Sequence, residues 1–126
     1  MPDETKITVY VVDDDASVRH ALKLLLNSAN MEVVTFKSAA ECIEYELNEE
    51  NSCLIADIKM PGTDGLELQR MLTNRKIKIP VIFLTAFDTE ETREHTKRAG
   101  AAGYFRKPVD DQALLDAILW AVNRAS

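Results

Sequence analysis

Cysteine is nearly absent from this chain. Cys42 and Cys53 are its only two in 126 residues, and they match no CxxC or zinc-ligand spacing. A disulfide scaffold and a zinc module are therefore excluded, and two small buried thiols in a reducing compartment are expected. No run approaches the ~18 apolar residues of a membrane span. The polar opening Met1 to Lys6 also lacks the basic-then-apolar layout of a secretion signal, so the expected location is the cytoplasm, without a membrane partner. Positive charge is in deficit: 15 Lys and Arg stand against 21 Asp and Glu, a formal net charge of −6. Such a domain is repelled by phosphate backbones, and direct nucleic-acid binding is not expected of it. Glycine and proline number four each, and there is no repeat, linker or low-complexity segment. What is present, 46% apolar and 29% charged residues, excludes disorder and fits one domain over residues 1–126. A chain of this size buries roughly two-thirds of its unfolded surface without disulfide or metal support.

Short β-branched runs alternate with longer segments of helical period, the pattern of βαβ units around a parallel sheet. The runs are Ile7 to Val12, Glu32 to Phe36, Cys53 to Ala56, Val81 to Leu84 and Gly103 to Phe105. From Ala16 to Ala29, Val18, Leu22, Leu25, Leu26 and Ala29 share one helix face, with Arg19, His20, Lys23 and Asn27 turned away from it. Ser38 and Glu41 have capping-box spacing and predict a second helix that fades near Asn48. Met60 to Gly65 is a dense turn signal, and Leu66, Leu68, Met71 and Leu72 behind it predict a third helix. The fourth helical segment, Thr89 to Arg98, offers only Thr92, Thr96 and the following Ala99 for an inward face, so it is expected to be the least firmly held. Asp110 predicts the N-cap of a fifth helix with Leu114, Leu115, Ile118, Leu119 and Val122 as its buried stripe. Five strands and five helices of this kind predict a doubly wound, flavodoxin-like α/β domain with a parallel sheet ordered 2-1-3-4-5. Ligands then bind beyond the carboxyl ends of strands one and three.

The residues at those ends carry the chemistry. Asp13 and Asp14 follow the first strand, Asp57 the third, Thr85 the fourth and Lys107 the fifth. Three carboxylates in one crevice raise one another's pKa unless a cation compensates. An all-oxygen donor set points to Mg²⁺ or Mn²⁺ rather than Zn²⁺. With the cation in place a carboxylate can attack phosphorus, the Thr85 hydroxyl can donate to a phosphoryl oxygen and the Lys107 ammonium can neutralise another.

Val11-Val12-Asp13-Asp14, the segment DIKMPGTDG from Asp57 to Gly65, Leu84-Thr85-Ala86 and Lys107-Pro108 carry a family likeness. From about Thr8 to Asn123 the chain resembles the receiver domain of bacterial two-component response regulators. The resemblance implies that Asp57 is phosphorylated by a sensor histidine kinase or phosphotransfer protein. It implies that Asp14, Asp57 and the backbone carbonyl of Lys59 bind Mg²⁺, with Asp13 acting through water, and that Thr85 and Lys107 hold the phosphoryl group. It also supplies a switch, in which Thr85 moves toward that group and Tyr104 turns inward, altering the surface of the fourth helix, fifth strand and fifth helix. Pro108 after Lys107 is compatible with the cis bond seen in the family. A receiver of this kind charges and discharges itself with Mg²⁺ but has no separate substrate, and so is not expected to be an enzyme. The segment Lys107 to Leu115 is similar to receivers that precede helix-turn-helix DNA-binding domains of the nitrogen-fixation regulator type. The partners to look for are thus a DNA-binding output module beyond Ser126 and a homodimer formed on phosphorylation.

Lys59 and Phe87 flank the expected path of attacking water; Phe87 cannot orient water and Lys59 can cap the phosphoryl group, so slow hydrolysis is expected. Trp120 is expected to face outward beside Ala113 and Ala117, and His20 and His95 to be solvated. An alternative is a haloacid-dehalogenase-like phosphatase with Asp13 as nucleophile, read from Asp13-Asp14-Asp15-Ala16-Ser17; it leaves Asp57 unexplained. A flavodoxin-like cofactor binder would need a hydroxyl- and glycine-rich loop where this chain has three aspartates.

Overall fold

Alternation along the strands sorts the core into two layers. The computed structural model describes residues 6–125, so Met1 to Thr5 and Ser126 lie outside the described residues. Five strands, β1 (Thr8–Val12), β2 (Glu32–Phe36), β3 (Ser52–Asp57), β4 (Val81–Thr85) and β5 (Gly103–Arg106), form one sheet in the order β2-β1-β3-β4-β5, every pair parallel. Between and after them run α1 (Ala16–Ser28), α2 (Ala39–Glu44), α3 (Gly65–Asn74), α4 (Glu90–Arg98) and α5 (Asp111–Ala125). Successive strand side chains point to opposite faces. Val9, Val11, Cys53, Ile55, Ile82 and Leu84 therefore meet Leu22 and Leu26 of α1 and Leu114 and Ile118 of α5 on one side. Tyr10, Val12, Leu54, Ala56 and Phe83 meet Ala39 and Cys42 of α2 and Leu68 and Leu72 of α3 on the other. Each fully buried Leu, Ile or Phe contributes about 1.5–3 kcal/mol. Burial pushes both thiols, Cys42 and Cys53, up to about 12, so they remain protonated and inert.

The helix starts follow their caps. Asp15 accepts from the Ser17 N–H, Asp64 from Glu67, Thr89 from Thr92 and Asp110 from Ala113. Ser38 accepts from Glu41 N–H, and the Glu41 carboxylate reaches back to the Lys37 N–H. Three expectations need correction. First, α2 ends at Glu44 rather than near Asn48. Tyr45 leaves the helix to set its ring edge-on against Tyr10 and Phe36, at centroid distances of 5.9 and 5.2 Å, and the Asn48 N–H donates to the Tyr10 hydroxyl. Second, Leu119 is 45% exposed and Ala121 occupies the buried stripe of α5 in its place, because the face turned to the sheet is that of Leu114, Ile118 and Val122. Third, Ala99 is exposed beyond the end of α4. Trp120 faces outward as expected, 52% exposed. It carries the Arg124 guanidinium 4.7 Å over its ring, but its groove is lined by Ala101, Ala102, Ala121 and Ala125, whereas Ala113 and Ala117 are half-buried.

Among the described residues α4 contributes no side chain to either apolar layer, and its one buried residue is Thr96. Its hydroxyl donates to the Arg93 carbonyl of its own helix. Little but the Thr89 cap and the sheet connections keeps this helix down. In hydrogen–deuterium exchange, the amides of Glu94 to Ala99 should exchange by local opening, well ahead of Leu22 to Leu26 in α1. Equal protection would contradict so weak an attachment.

Candidate functional site

Strand register gathers the site. Val12 is paired with Ala56, so the next residues, Asp13 and Asp57, stand side by side at the ends of β1 and β3. Asp57 is level with Leu84, one residue before Thr85, and Thr85 is paired with Arg106, one residue before Lys107. Two backbone bonds carry the pairing past the strands, Ile58 N–H to the Leu84 carbonyl and Lys107 N–H to that of Thr85. The turn after β3 folds back tightly. Gly62 has φ +77°, a conformation open to glycine, and Gly65 starts α3 against the Asp57 backbone, where a Cβ would collide with the Asp57 carbonyl oxygen. The Lys107–Pro108 peptide is cis.

One carboxylate oxygen from each of Asp13, Asp14 and Asp57 lies within 4.8 Å of the others. Asp13 and Asp57 are buried and Asp14 is exposed. Lys107 Nζ is 2.8 Å from Asp13 Oδ2 and 3.3 Å from Asp57 Oδ2. Asp13 is held on every side: its Oδ1 accepts from Asp15 N–H, its carbonyl from Arg19 Nη1 at 2.7 Å, and its own N–H donates to the Phe36 carbonyl. Asp57 has looser company, with Lys59 N–H 3.3 Å from Oδ1. Burial above all pushes the Asp57 carboxyl above its ordinary range; Lys107 pulls it down and the neighbouring Asp13 pushes it up again. Burial also works against the Lys107 ammonium, but the Asp13 and Asp57 carboxylates overcome it and hold that group above the usual lysine range.

Three carboxylates and one ammonium leave two negative charges, the amount a divalent cation supplies. The donors are all oxygen and Asp14 is open to water, which fits Mg²⁺ or Mn²⁺, ions that keep part of their hydration, better than Zn²⁺.

Around this core, Thr85 is fully buried and its Oγ1 accepts from Phe87 N–H at 3.0 Å. Phe87 is 61% exposed, with Lys59 Nζ 5.7 Å from its ring centroid. Tyr104 is half-buried, and its hydroxyl donates to Asp88 Oδ1 at 2.9 Å, the same oxygen that takes Arg93 Nε at 2.9 Å. Burial and this bond push the Tyr104 hydroxyl up to about 12, and the Tyr104 bond first of all holds Asp88 below its usual value. Two of these partners are not legible as site residues in the sequence. Arg19 reads as part of a polar helix face, yet it turns back to clasp Asp13; a basic residue one helical turn beyond the acidic triplet is the only signal. Asp88 reads as a loop acid, and its only clue is its place three residues after Thr85. Asp15 is the N-cap of α1, and His20 and His95 are exposed.

The response regulator receiver domain model matches residues 9–119. The transcriptional regulatory protein TdiR of Thauera aromatica is 40% identical over 119 residues, covering 93% of this chain and 52% of TdiR. Nodulation protein W of Bradyrhizobium diazoefficiens is 39% identical over 120 residues, covering 95% of this chain and 53% of that protein. Among solved structures, FixJ-N superposes with a TM-score of 0.86 at 31% identity, covering 94% of each chain. Response regulator StyR gives a TM-score of 0.88 at 43% identity over 95% of this chain and 61% of that one. The chain spans about half the length of the curated relatives it matches.

Because burial raises the Asp57 pKa in the folded protein, this carboxyl favours folding while protonated, and that contribution is lost as pH rises through its folded pKa. Asp57→Asn is therefore expected to melt at a higher temperature than the unsubstituted protein at neutral pH without divalent ions. The gap should close as pH falls toward the ordinary value of 3.8. Thermal melts across this range check the sign; a variant that melts lower at neutral pH contradicts it.

Proposed function

This chain belongs to the response regulator receiver family of two-component signalling, whose general function is phosphorylation on an aspartate, and from that premise we propose that Asp57 is the acceptor. The observation that supports it is the contrast between the two buried carboxylates. Asp13 is fastened by Lys107, Asp15 and Arg19, whereas Asp57 keeps only contacts of 3.3 Å and so has the freer oxygens. An Asp57 oxygen attacks the phosphorus of a phosphohistidine on a sensor kinase or phosphotransfer protein. The P–N bond breaks, and its electron pair stays with the imidazole.

Lys107, already between Asp13 and Asp57, neutralises one phosphoryl oxygen. The Thr85 hydroxyl, which accepts from Phe87 N–H, still has its proton to donate to another. Asp13, Asp14, Asp57 and the Lys59 carbonyl are the groups that would hold Mg²⁺, whose charge would offset that of the incoming phosphoryl group. As Thr85 turns toward the phosphoryl group it gives up its bond to Phe87, and Tyr104 exchanges its bond to Asp88 for an inward position. That movement alters α4, β5 and α5. The phosphatase alternative with Asp13 as nucleophile receives no support from the family match, and Asp13 has both carboxylate oxygens engaged.

In this reading the domain is a signalling unit without a separate substrate, and it loses the phosphoryl group by its own hydrolysis. Among the described residues no helix is long and apolar enough to cross a membrane. TdiR and FixJ are transcriptional regulatory proteins of about twice this length. The proposal extends to a cytoplasmic regulator in which this single receiver unit passes its state to a fused DNA-binding module, with a homodimer formed on phosphorylation.

Incubation with acetyl phosphate and Mg²⁺ is expected to add one phosphoryl mass to the intact chain, read by mass spectrometry, and Asp57→Ala to abolish it. An adduct that persists in Asp57→Ala refutes the assignment. Lys59 and Phe87 touch each other and donate their backbone N–H groups to Asp57 and Thr85, so Lys59→Asn with Phe87→Glu should shorten the phosphoryl half-life several-fold. An unchanged decay of the labelled species would remove these two residues from control of hydrolysis.

A further inference from the structure

A groove runs between α3 and α4, away from the acidic crevice and independent of its chemistry. Leu66, Gln69, Arg70 and Thr73 form one wall, with His95 and Arg98 opposite, around a volume of about 440 Å³. Past Gln69, Thr73 and Ala99 it continues into a second hollow of about 570 Å³ along the foot of β4, beside Lys76, Lys78 and Pro80. The two hollows make one elongated track.

Gln69 is the anomaly on its floor. The residue is only 9% exposed, and its Oε1 is sealed from water without a hydrogen-bond partner. The adjacent Thr73 hydroxyl does not serve it, donating instead to the Gln69 backbone carbonyl. An acceptor left in this state destabilises the fold, and an apolar side chain of similar shape would do better there. The rest of the lining shares an unmet demand for negative charge. No carboxylate lines the first hollow, and Arg70, His95 and Arg98 make no ion pair among the described residues. The second hollow has one acid, Glu49, whose carboxylate is engaged by the Lys78 N–H at 2.7 Å. In a chain of net charge −6 this is a local reversal of sign.

We propose that the α3–α4 groove docks an extended acidic peptide segment of a partner protein. Carboxylates of such a segment pair with Arg70 and Arg98, and as α4 gives way one of its backbone N–H groups reaches Gln69 Oε1. Leu66 and Pro80 give its apolar side chains a surface. A simple anion meets the charge but brings no donor for the amide, and it leaves most of the track empty. Since Thr96 is the one buried residue of α4, the helix can move aside as the peptide enters.

The test is a titration of the ¹⁵N-labelled, unphosphorylated chain with an acetylated, amidated octaglutamate peptide, with citrate as the charge-only comparison. Expected are amide shifts confined to Leu66–Thr73, Lys76–Ile79 and His95–Gly100. They should be lost in Arg70→Glu with Arg98→Glu and retained in Asp57→Ala, which separates this proposal from the acceptor assignment. Gln69→Met should melt higher than the unsubstituted protein and yet bind the peptide several-fold more weakly. The proposal is overturned by any of three results: no groove shifts at millimolar peptide, citrate binding as tightly as the peptide, or Gln69→Met binding unchanged. The exposed arginine variants decide the matter if Gln69→Met does not fold.

Discussion

One ammonium shared by two carboxylates governs this molecule. Lys107 stands 2.8 Å from Asp13 and 3.3 Å from Asp57, in a crevice where those acids would otherwise repel each other with little water to relieve them. Its reach across the sheet exists only because β1 and β3 are neighbours and β5 lies two places beyond, an order set by burying apolar strand faces under helices on both sides. The asymmetry of the two distances matters as much as the pair itself. Asp13 takes the better share of the charge, while Asp57, burdened by burial, is the less well compensated of the two. A charge deficit of two remains, and this makes the crevice receptive to a hard divalent ion.

The sheet and the crevice were legible because both are written in local patterns: β-branched runs, helical periodicity and chemistry-bearing residues where each run stops. Those signals need only the chain's own order, and the strand sequence 2-1-3-4-5 is the one expected of a doubly wound flavodoxin-like domain. What the pattern could not carry is competition between distant groups. Helix α2 stops at Glu44 because Tyr45 finds Tyr10 and Phe36, partners remote in sequence. Leu119 and Ala121 exchange places because one hydrophobic stripe on α5 is compatible with two rotations of the helix, and the packing partners choose between them. Gln69 is buried against its type for the same reason: the flanking Leu68 and Leu72 fix the face of α3, and the amide goes where they take it.

Stability is distributed unevenly to match. Two apolar layers clamp α1, α2, α3 and α5, whereas α4 is capped by Thr89, held by Thr96 and tethered at its start through Asp88, which binds Tyr104 and Arg93 together. The bonds that position the loop after β4 are few and polar, Thr85 to Phe87 and Tyr104 to Asp88, so they can be exchanged for others at small cost. A rearrangement begun at the crevice thus meets its softest resistance toward α4 and its stiffest toward the sheet.

The two thiols end on opposite sides of that sheet, Cys53 on β3 beneath α1 and α5 and Cys42 on the inner face of α2. They can never join one another while the strands stand between them, and each is a sealed reporter for its own layer. Alkylating reagents reach Cys53 only when α1 or α5 lifts from the sheet, and Cys42 only when its own helix does. The relative labelling of the pair therefore reveals whether the halves of this interior come apart together or one after the other.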